Sequence, residues 1–153
     1  SIVTGSDLDY DVEKFEKTAM IAERLPSGDP RRLFALTEAI NNYGGPFLSD
    51  TDSPWVESRR RSLELRYLDL VASLSVEALM RDQPERALEV LRRALEIDPL
   101  RDDINYRLME ALGRLGRVRE VVSHYQKYSR ELRQELGIDP PTATRELYDR
   151  LIG

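Results

Sequence analysis

Apolar residues recur along this chain at steps of three and four. From Asp11 to Leu25 they are Val12, Phe15, Ala19, Ala22 and Leu25, which lie on one face of a helix. A short extended lead, Ile2-Val3, precedes it. Pro26-Ser27-Gly28 ends the segment. Asp29-Pro30 restarts the chain, with Asp as N-cap and Pro at the first helical position. The second helix carries Leu33, Leu36, Ile40 and Tyr43 and stops at Gly44-Gly45-Pro46. After the loop over residues 47–52, Ser53-Pro54 caps a long helix from about Trp55 to Arg81, with Leu63, Tyr67, Leu70, Leu74 and Ala78 on its apolar face. Gln83-Pro84 breaks it. A shorter helix bears Ala87, Leu88, Leu91, Ala94 and Leu95 and ends at Asp98-Pro99. Ile104, Leu108, Ala111 and Leu112 form the next helix, and Gly116 makes a turn. Val118, Val121, Val122, Tyr125, Tyr128 and Leu132 form another, which Gly137 and Pro140-Pro141 terminate. A last helix, from about Thr142, presents Ala143, Leu147 and Leu151. No useful length alternates with period two, so the pattern predicts an all-α fold of about seven helices.

The pattern also repeats. Leu74 and Leu108 are related by a shift of 34, as are Ala87 and Val121, Leu91 and Tyr125, and Ala94 and Tyr128. That is the tetratricopeptide period, in which small and large residues at fixed places let antiparallel helix pairs stack. Ala87, Ala94 and Pro99 match it in the first copy. Val121 and Tyr128 stand where small residues are usual, so the second copy is degenerate, and the larger residues should alter its helix packing. The expectation is one domain over residues 1–153 forming an α-α superhelix. N-terminal helices occupy 11–52, tetratricopeptide-like pairs 53–135, and a capping helix 141–153.

Composition narrows the chemistry. A chain of 153 residues suits one domain, and its 41% hydrophobic and 33% charged content suits a folded, charge-rich one. No apolar run approaches the roughly 20 residues that cross a bilayer, and no signal peptide is visible, which favours a cytoplasmic protein. The start at Ser1 suggests a domain cut from a longer chain. With no cysteine and one histidine, neither a disulfide framework nor a thiolate or His-rich metal site can form. A net charge of -5 argues against direct nucleic-acid binding. The run Arg59-Arg60-Arg61 fans around a helix and makes no basic stripe. The acidic residues Asp7, Asp9, Asp11, Glu13 and Glu16 read as charge at a helix N-terminus.

Taken together, these residues resemble the bacterial transcriptional activator domain of SARP-type and EmbR-type regulators. The resemblance rests on Asp11-Val12 with Phe15, on Tyr43 and Gly45 to Leu48, and on Trp55 with Arg60 or Arg61, Leu63 and Tyr67. It continues through Ala87-Leu88, Asp98-Pro99-Leu100, Leu108-Met109, Ala111-Leu112 and Gly116-Arg117, then Tyr125, Leu132, Glu135-Leu136-Gly137, Pro140 and Leu147-Tyr148. The sequence departs from the family at Val121-Val122, where Ala-Leu is usual. The resemblance implies an all-helical regulatory domain that works beside a winged-helix DNA-binding domain absent from this chain.

No constellation for catalysis stands out. His124 lies at the edge of a buried stripe and reads as a locally bonded histidine. Gly44-Gly45-Pro46, Gly113 and Gly116 read as turns, since no P-loop lysine or spacing accompanies them. Asp102-Asp103 read as helix-capping acids. Trp55 reads as a core anchor for the loop over residues 45–48. In stacked pairs the first helix of each lines the concave face, which makes Asp69, Ala72, Val76, Asp103, Tyr106, Arg107 and Glu110 the partner-binding candidates. Tyr and Arg are residue types enriched at binding hot spots.

The sequence thus predicts a non-catalytic domain with no cofactor or metal. Its partners would be proteins: a neighbouring domain, another protomer (a possible homodimer), or the transcription machinery. DNA would be reached only through a domain outside this chain. The competing expectation is a free-standing tetratricopeptide adaptor that holds a peptide. A small hydrolase or ligand-sensing domain would need a pocket with convergent polar groups, for which no motif is present.

Overall fold

The computed structural model describes residues 5–44 and 54–153, with side chains over residues 11–44 and 57–153. Seven helices occupy the described residues: α1 (Gly5–Arg24), α2 (Arg32–Asn41), α3 (Pro54–Met80), α4 (Pro84–Ile97), α5 (Asp102–Arg114), α6 (Val118–Leu136) and α7 (Thr142–Ile152). The chain forms two compact units, residues 1–77 and 78–153, and the division falls inside α3. The Ile2-Val3 lead, Gly45 with the loop after it, and the Ser53 cap lie outside the described residues. So does the side chain of Trp55.

In the first unit α1 starts at Gly5, six residues before the expected Asp11. No helix breaker separates the acidic run from Val12, and carboxylates are favourable near a helix N-terminus. Val12, Phe15, Ala19 and Ala22 are buried as expected. Helix α2 starts at Arg32, two residues beyond Pro30. Asp29 is spent on the turn before it: its carboxylate accepts the Arg31 amide at 2.8 Å, and its carbonyl accepts the Arg32 amide at 3.0 Å. Tyr43 lies past the end of α2 and seals the unit as an aromatic. Its ring stacks on Tyr67 at 4.2 Å and meets Phe15 edge-on at 5.4 Å. Burial, with Glu64 nearby, pushes the Tyr43 phenol up to about 12.

Glu77 locks this unit. It is 1% exposed. Its carboxylate accepts the Ser27 hydroxyl at 3.0 Å and the Gly28 amide at 3.1 Å, and faces Arg32 Nε at 3.3 Å. Arg32 also donates to the Leu25 carbonyl at 2.7 Å, which closes the α1–α2 connection onto α3. The three consecutive arginines do fan out: Arg59 pairs with Glu16, Arg60 with Glu57 and Arg61 with Glu64.

In the second unit α4 packs on α5, α5 on α6, and α7 on both α5 and α6. The repeat extends to its turns. Arg117 N–H donates to the Leu112 carbonyl and Gly116 N–H to the Gly113 carbonyl, with Gly116 at φ +71°. Thirty-four residues earlier, Gln83 N–H donates to the Ala78 carbonyl and Asp82 N–H to the Leu79 carbonyl, with Asp82 at φ +59°. Both are the same left-handed helix stop, built on glycine in one copy and aspartate in the other. Gly137 ends α6 in the same region, at φ +66°.

Val121 and Tyr128 are both buried despite their size. The Tyr128 hydroxyl donates to Asp102 Oδ1 at 2.6 Å, and the Thr144 hydroxyl donates to the same carboxylate at 3.0 Å. Asp102 is thus more than a helix-capping acid. It is the first residue of α5, and its carboxylate ties α6 and α7 to that helix. This also corrects the face of α7: Thr144 is buried where Ala143 was expected, and Ala143 is exposed. Tyr125 is half-buried and stacks on Tyr148 at 4.0 Å.

Three outcomes follow in urea unfolding. Asp82→Gly relieves a left-handed non-glycine residue and raises stability by about 1 kcal/mol, while Gly116→Val lowers it by about 1–2 kcal/mol. Glu77→Ala takes the carboxylate partner from the largely buried Arg32 guanidinium and releases Ser27 and Gly28 to solvent, and lowers stability by about 3 kcal/mol. An unchanged midpoint in Glu77→Ala would contradict the role assigned to this carboxylate.

Candidate functional site

The second unit has a cleft walled by α4 and α6 and floored by α5. It encloses about 440 Å³. Leu95, Leu108 and Leu112 supply apolar surface, and Arg92, Glu96, Glu120, Ser123, His124 and Lys127 the polar lining. The helical period explains the mixture. Leu108 and Leu112 belong to the buried stripe of α5, whereas Ser123 and Lys127 lie one step off the buried Val121–Tyr128 stripe of α6. Glu120 bridges the walls, since it accepts from Arg92 at 3.2 Å and from Arg117 at 2.9 Å.

His124 sits at the inner edge of this cleft. Its Nε2 lies 2.7 Å from Asn105 Oδ1. Asn105 is fully buried, and its amide group donates to the carbonyls of Pro99 at 3.0 Å and Arg101 at 2.8 Å. With both amide hydrogens committed, Asn105 Oδ1 can only accept, so Nε2 of His124 carries the proton. Burial first, then Lys127 and Arg92, push the imidazole down to about 4. At neutral pH the ring is therefore uncharged with one nitrogen occupied. This is the locally bonded histidine that the sequence implied. Beside it, burial and then the bond to Asp102 raise the Tyr128 phenol far above its ordinary value, so it stays a hydrogen-bond donor. Among the described residues, no group of three or more His, Asp or Glu side chains could hold a metal. No helix there is long and apolar enough to cross a membrane.

The residues expected to bind a partner lie elsewhere, and none lines the cleft. On α5 the structure joins three of them: Arg107 lies over the Tyr106 ring, 5.0 Å from its centroid, and donates to Glu110 at 2.9 Å. Asp103 pairs instead with Arg101 at 2.8 Å. On α3, within the first unit, Asp69, Ala72 and Val76 share one helix face at steps of three and four, partly to fully exposed. Of the signature residues, Ala87 and Ala94 are buried, Gly116 and Gly137 make left-handed turns, Arg117 pairs with Glu120, and Pro99 and Pro140 follow helix ends. Sequence reasoning missed Asn105, Thr144 and Glu77. The one available signal was a polar residue inside or beside an apolar stripe, as Asn105 is beside Ile104.

Comparison with known proteins places this geometry. A family model described as the bacterial transcriptional activator domain matches residues 10–152. The regulatory protein AfsR of Streptomyces coelicolor is 29% identical over 117 residues, and its counterpart in Streptomyces griseus is 29% identical over 120. Each alignment covers 76% of this chain and 12% of the relative, so the chain spans about an eighth of those proteins. Among solved structures, the C-terminal TPR-containing domain of a Plasmodium falciparum protein of the FK506-binding class superposes with a TM-score of 0.68. That match has 13% identity and covers 95% of this chain and 90% of the other. At that identity the likeness is one of fold, and the fold is the tetratricopeptide-like, all-α one that the 34-residue period predicted.

The histidine gives a pH-dependent outcome. Unfolding returns the ring to its ordinary value of 6.5. Between about 4 and 6.5 the unfolded chain binds a proton that the folded chain does not, so stability falls as pH falls through that window. Urea midpoints from pH 7 to pH 4 should show this loss, and His124→Gln should remove roughly 2 kcal/mol of it, allowing for partial solvation. Parallel pH profiles for the two proteins would show that the ring titrates normally.

Proposed function

This chain belongs to the bacterial transcriptional activator domain family, and from that premise we propose that it is the regulatory, protein-interaction part of a transcription regulator. In this reading it is non-catalytic, works in the cytoplasm, and acts with a DNA-binding domain outside these residues. Its contacts are with a neighbouring domain, another protomer or the transcription machinery. The observation that carries the reading is the family match over residues 10–152, joined by the likeness to the regulatory protein AfsR of two Streptomyces species. The geometry supports it. The single histidine is neutral and tied to Asn105, so it is poorly placed as a general base. In the Tyr106–Arg107–Glu110 patch, Glu110 holds Arg107 over the Tyr106 ring, and Tyr and Arg are residue types enriched at interfaces. We assign that patch to partner contact and, as a separate surface of the first unit, Asp69, Ala72 and Val76 on α3.

A second reading, a tetratricopeptide-type adaptor outside transcription, draws on the fold likeness alone. One experiment separates the two. The complete regulator with and without residues 10–152 is assayed for binding to its promoter fragment and for transcription. Under the regulatory reading, DNA binding survives the deletion and activation or its control is lost. Tyr106→Ala with Arg107→Ala reproduces part of that loss without unfolding the domain. Unchanged transcription on deletion would refute the regulatory reading and favour the adaptor.

A further inference from the structure

The second unit brings three segments of chain to one end. The Arg114 guanidinium on α5 donates to the Leu79 carbonyl on α3. Leu151 on α7 packs so closely on Gly113 that a Cβ there would meet its Cδ2 at 2.5 Å. The α3–α4 turn, the α5–α6 turn and the end of α7 therefore form one surface, made by residues 80–86, 114–120 and 149–153. Those segments hold six arginines against four carboxylates. The other ends of the same helices, residues 96–103, 130–139 and 142–146, hold eight carboxylates against four arginines. Over residues 78–153 the charges balance, so the antiparallel path of the helices segregates a charge that composition conceals.

The basic end is also apolar. Met80 is 59% exposed, Val118 42% and Ile152 42%. Arg119 and Arg150 are exposed beside them and enter no ion pair among the described residues. Exposed apolar side chains framed by guanidinium groups are the composition of a protein-docking patch, where Met and Arg are enriched. A phosphate backbone would use the arginines and leave Met80, Val118 and Ile152 idle. A complementary partner carries carboxylates and apolar side chains together.

We propose that this end of the second unit, centred on Met80, Val118 and Ile152 with Arg119 and Arg150, docks an acidic amphipathic segment of a protein partner. It is a surface separate from the Tyr106–Arg107–Glu110 patch. The inference rests on reading the domain as a protein-interaction module, and it names the chemistry of one partner. Charge complementarity sets the encounter and orientation, and the apolar contacts hold the segment.

The probe is a fluorescein-labelled synthetic peptide with leucine at helical spacing among aspartate and glutamate, followed by fluorescence anisotropy against the 153-residue chain. Saturable binding is expected. It weakens about tenfold or more when Arg119→Glu is combined with Arg150→Glu, and recovers with Arg119→Lys and Arg150→Lys. Val118→Asp weakens it without removing a cation. Neither substitution set breaks an internal ion pair, and circular dichroism confirms that each variant is folded. No saturable binding overturns the proposal, as does equal binding of a peptide carrying lysine in place of the acids, or binding unaffected by the reversals. Preferred binding of a short DNA duplex through the same arginines also overturns it, assigning the surface to nucleic acid. Salt-sensitive self-association abolished by the same reversals assigns it to a second copy and overturns it too. If the peptide fails while the domain remains necessary for activation, the regulatory reading stands and only this surface falls.

Discussion

A carboxylate withdrawn wholly or partly from water must recover its hydrogen bonds from the protein, and each unit of this chain holds one that does, the buried Glu77 and the half-buried Asp102. The cost of burying an unpaired carboxylate is several kcal/mol, more than a typical helix contact returns. Glu77 meets it by drawing Ser27, Gly28 and Arg32 onto α3, which fixes where the α1–α2 connection sits. Asp102 meets part of it through the hydroxyls of Tyr128 and Thr144, which fixes α6 and α7 against α5. The helices supply apolar area, and these acids specify the arrangement in which that area is buried.

The second of these arrangements also explains how a degenerate repeat survives. A tyrosine in place of a small residue crowds a helix pair. Here the ring is buried and its hydroxyl reaches the first residue of α5, so the bulk is matched by a charge-assisted hydrogen bond. Asn105 does comparable work nearby: it holds the carbonyls of Pro99 and Arg101 and orients His124. The polar groups that might suggest chemistry are therefore occupied with structure.

Much of this was legible in the sequence. The residues that the three-and-four spacing put on the apolar faces of α3, α4 and α5 are buried, save the half-buried Leu95, while α3 also buries Leu68, Val71 and Leu79; Gly116 and Gly137 occupy the left-handed stops that glycine favours. Asp82 was less legible. Aspartate enters left-handed conformations only occasionally, and the clue was its alignment with Gly116 across 34 residues. Helix α2 began later than its Asp-Pro pair suggested, because the Asp29 side chain found the Arg31 amide first. On α7 the periodicity favoured Ala143, but Thr144 had a carboxylate to satisfy, and a buried hydrogen bond outweighed the burial of one methyl group.

The sequence alone determined the helices, their order, the repeat and the family. Those depend on local backbone preference, on a 3.6-residue period and on turn residues, all carried within a few positions of chain. Tertiary structure decided which polar groups meet: Glu77 with Ser27 across 50 residues, Asp102 with Thr144 across 42, and Asn105 with His124 across 19. It also gathered the arginines of two turns and of the end of α7 at one end of the second unit. Neither could be read along the chain. A hydrogen bond is short-ranged and directional, and a surface charge acts within about 10 Å, so both depend on which helices lie side by side in space.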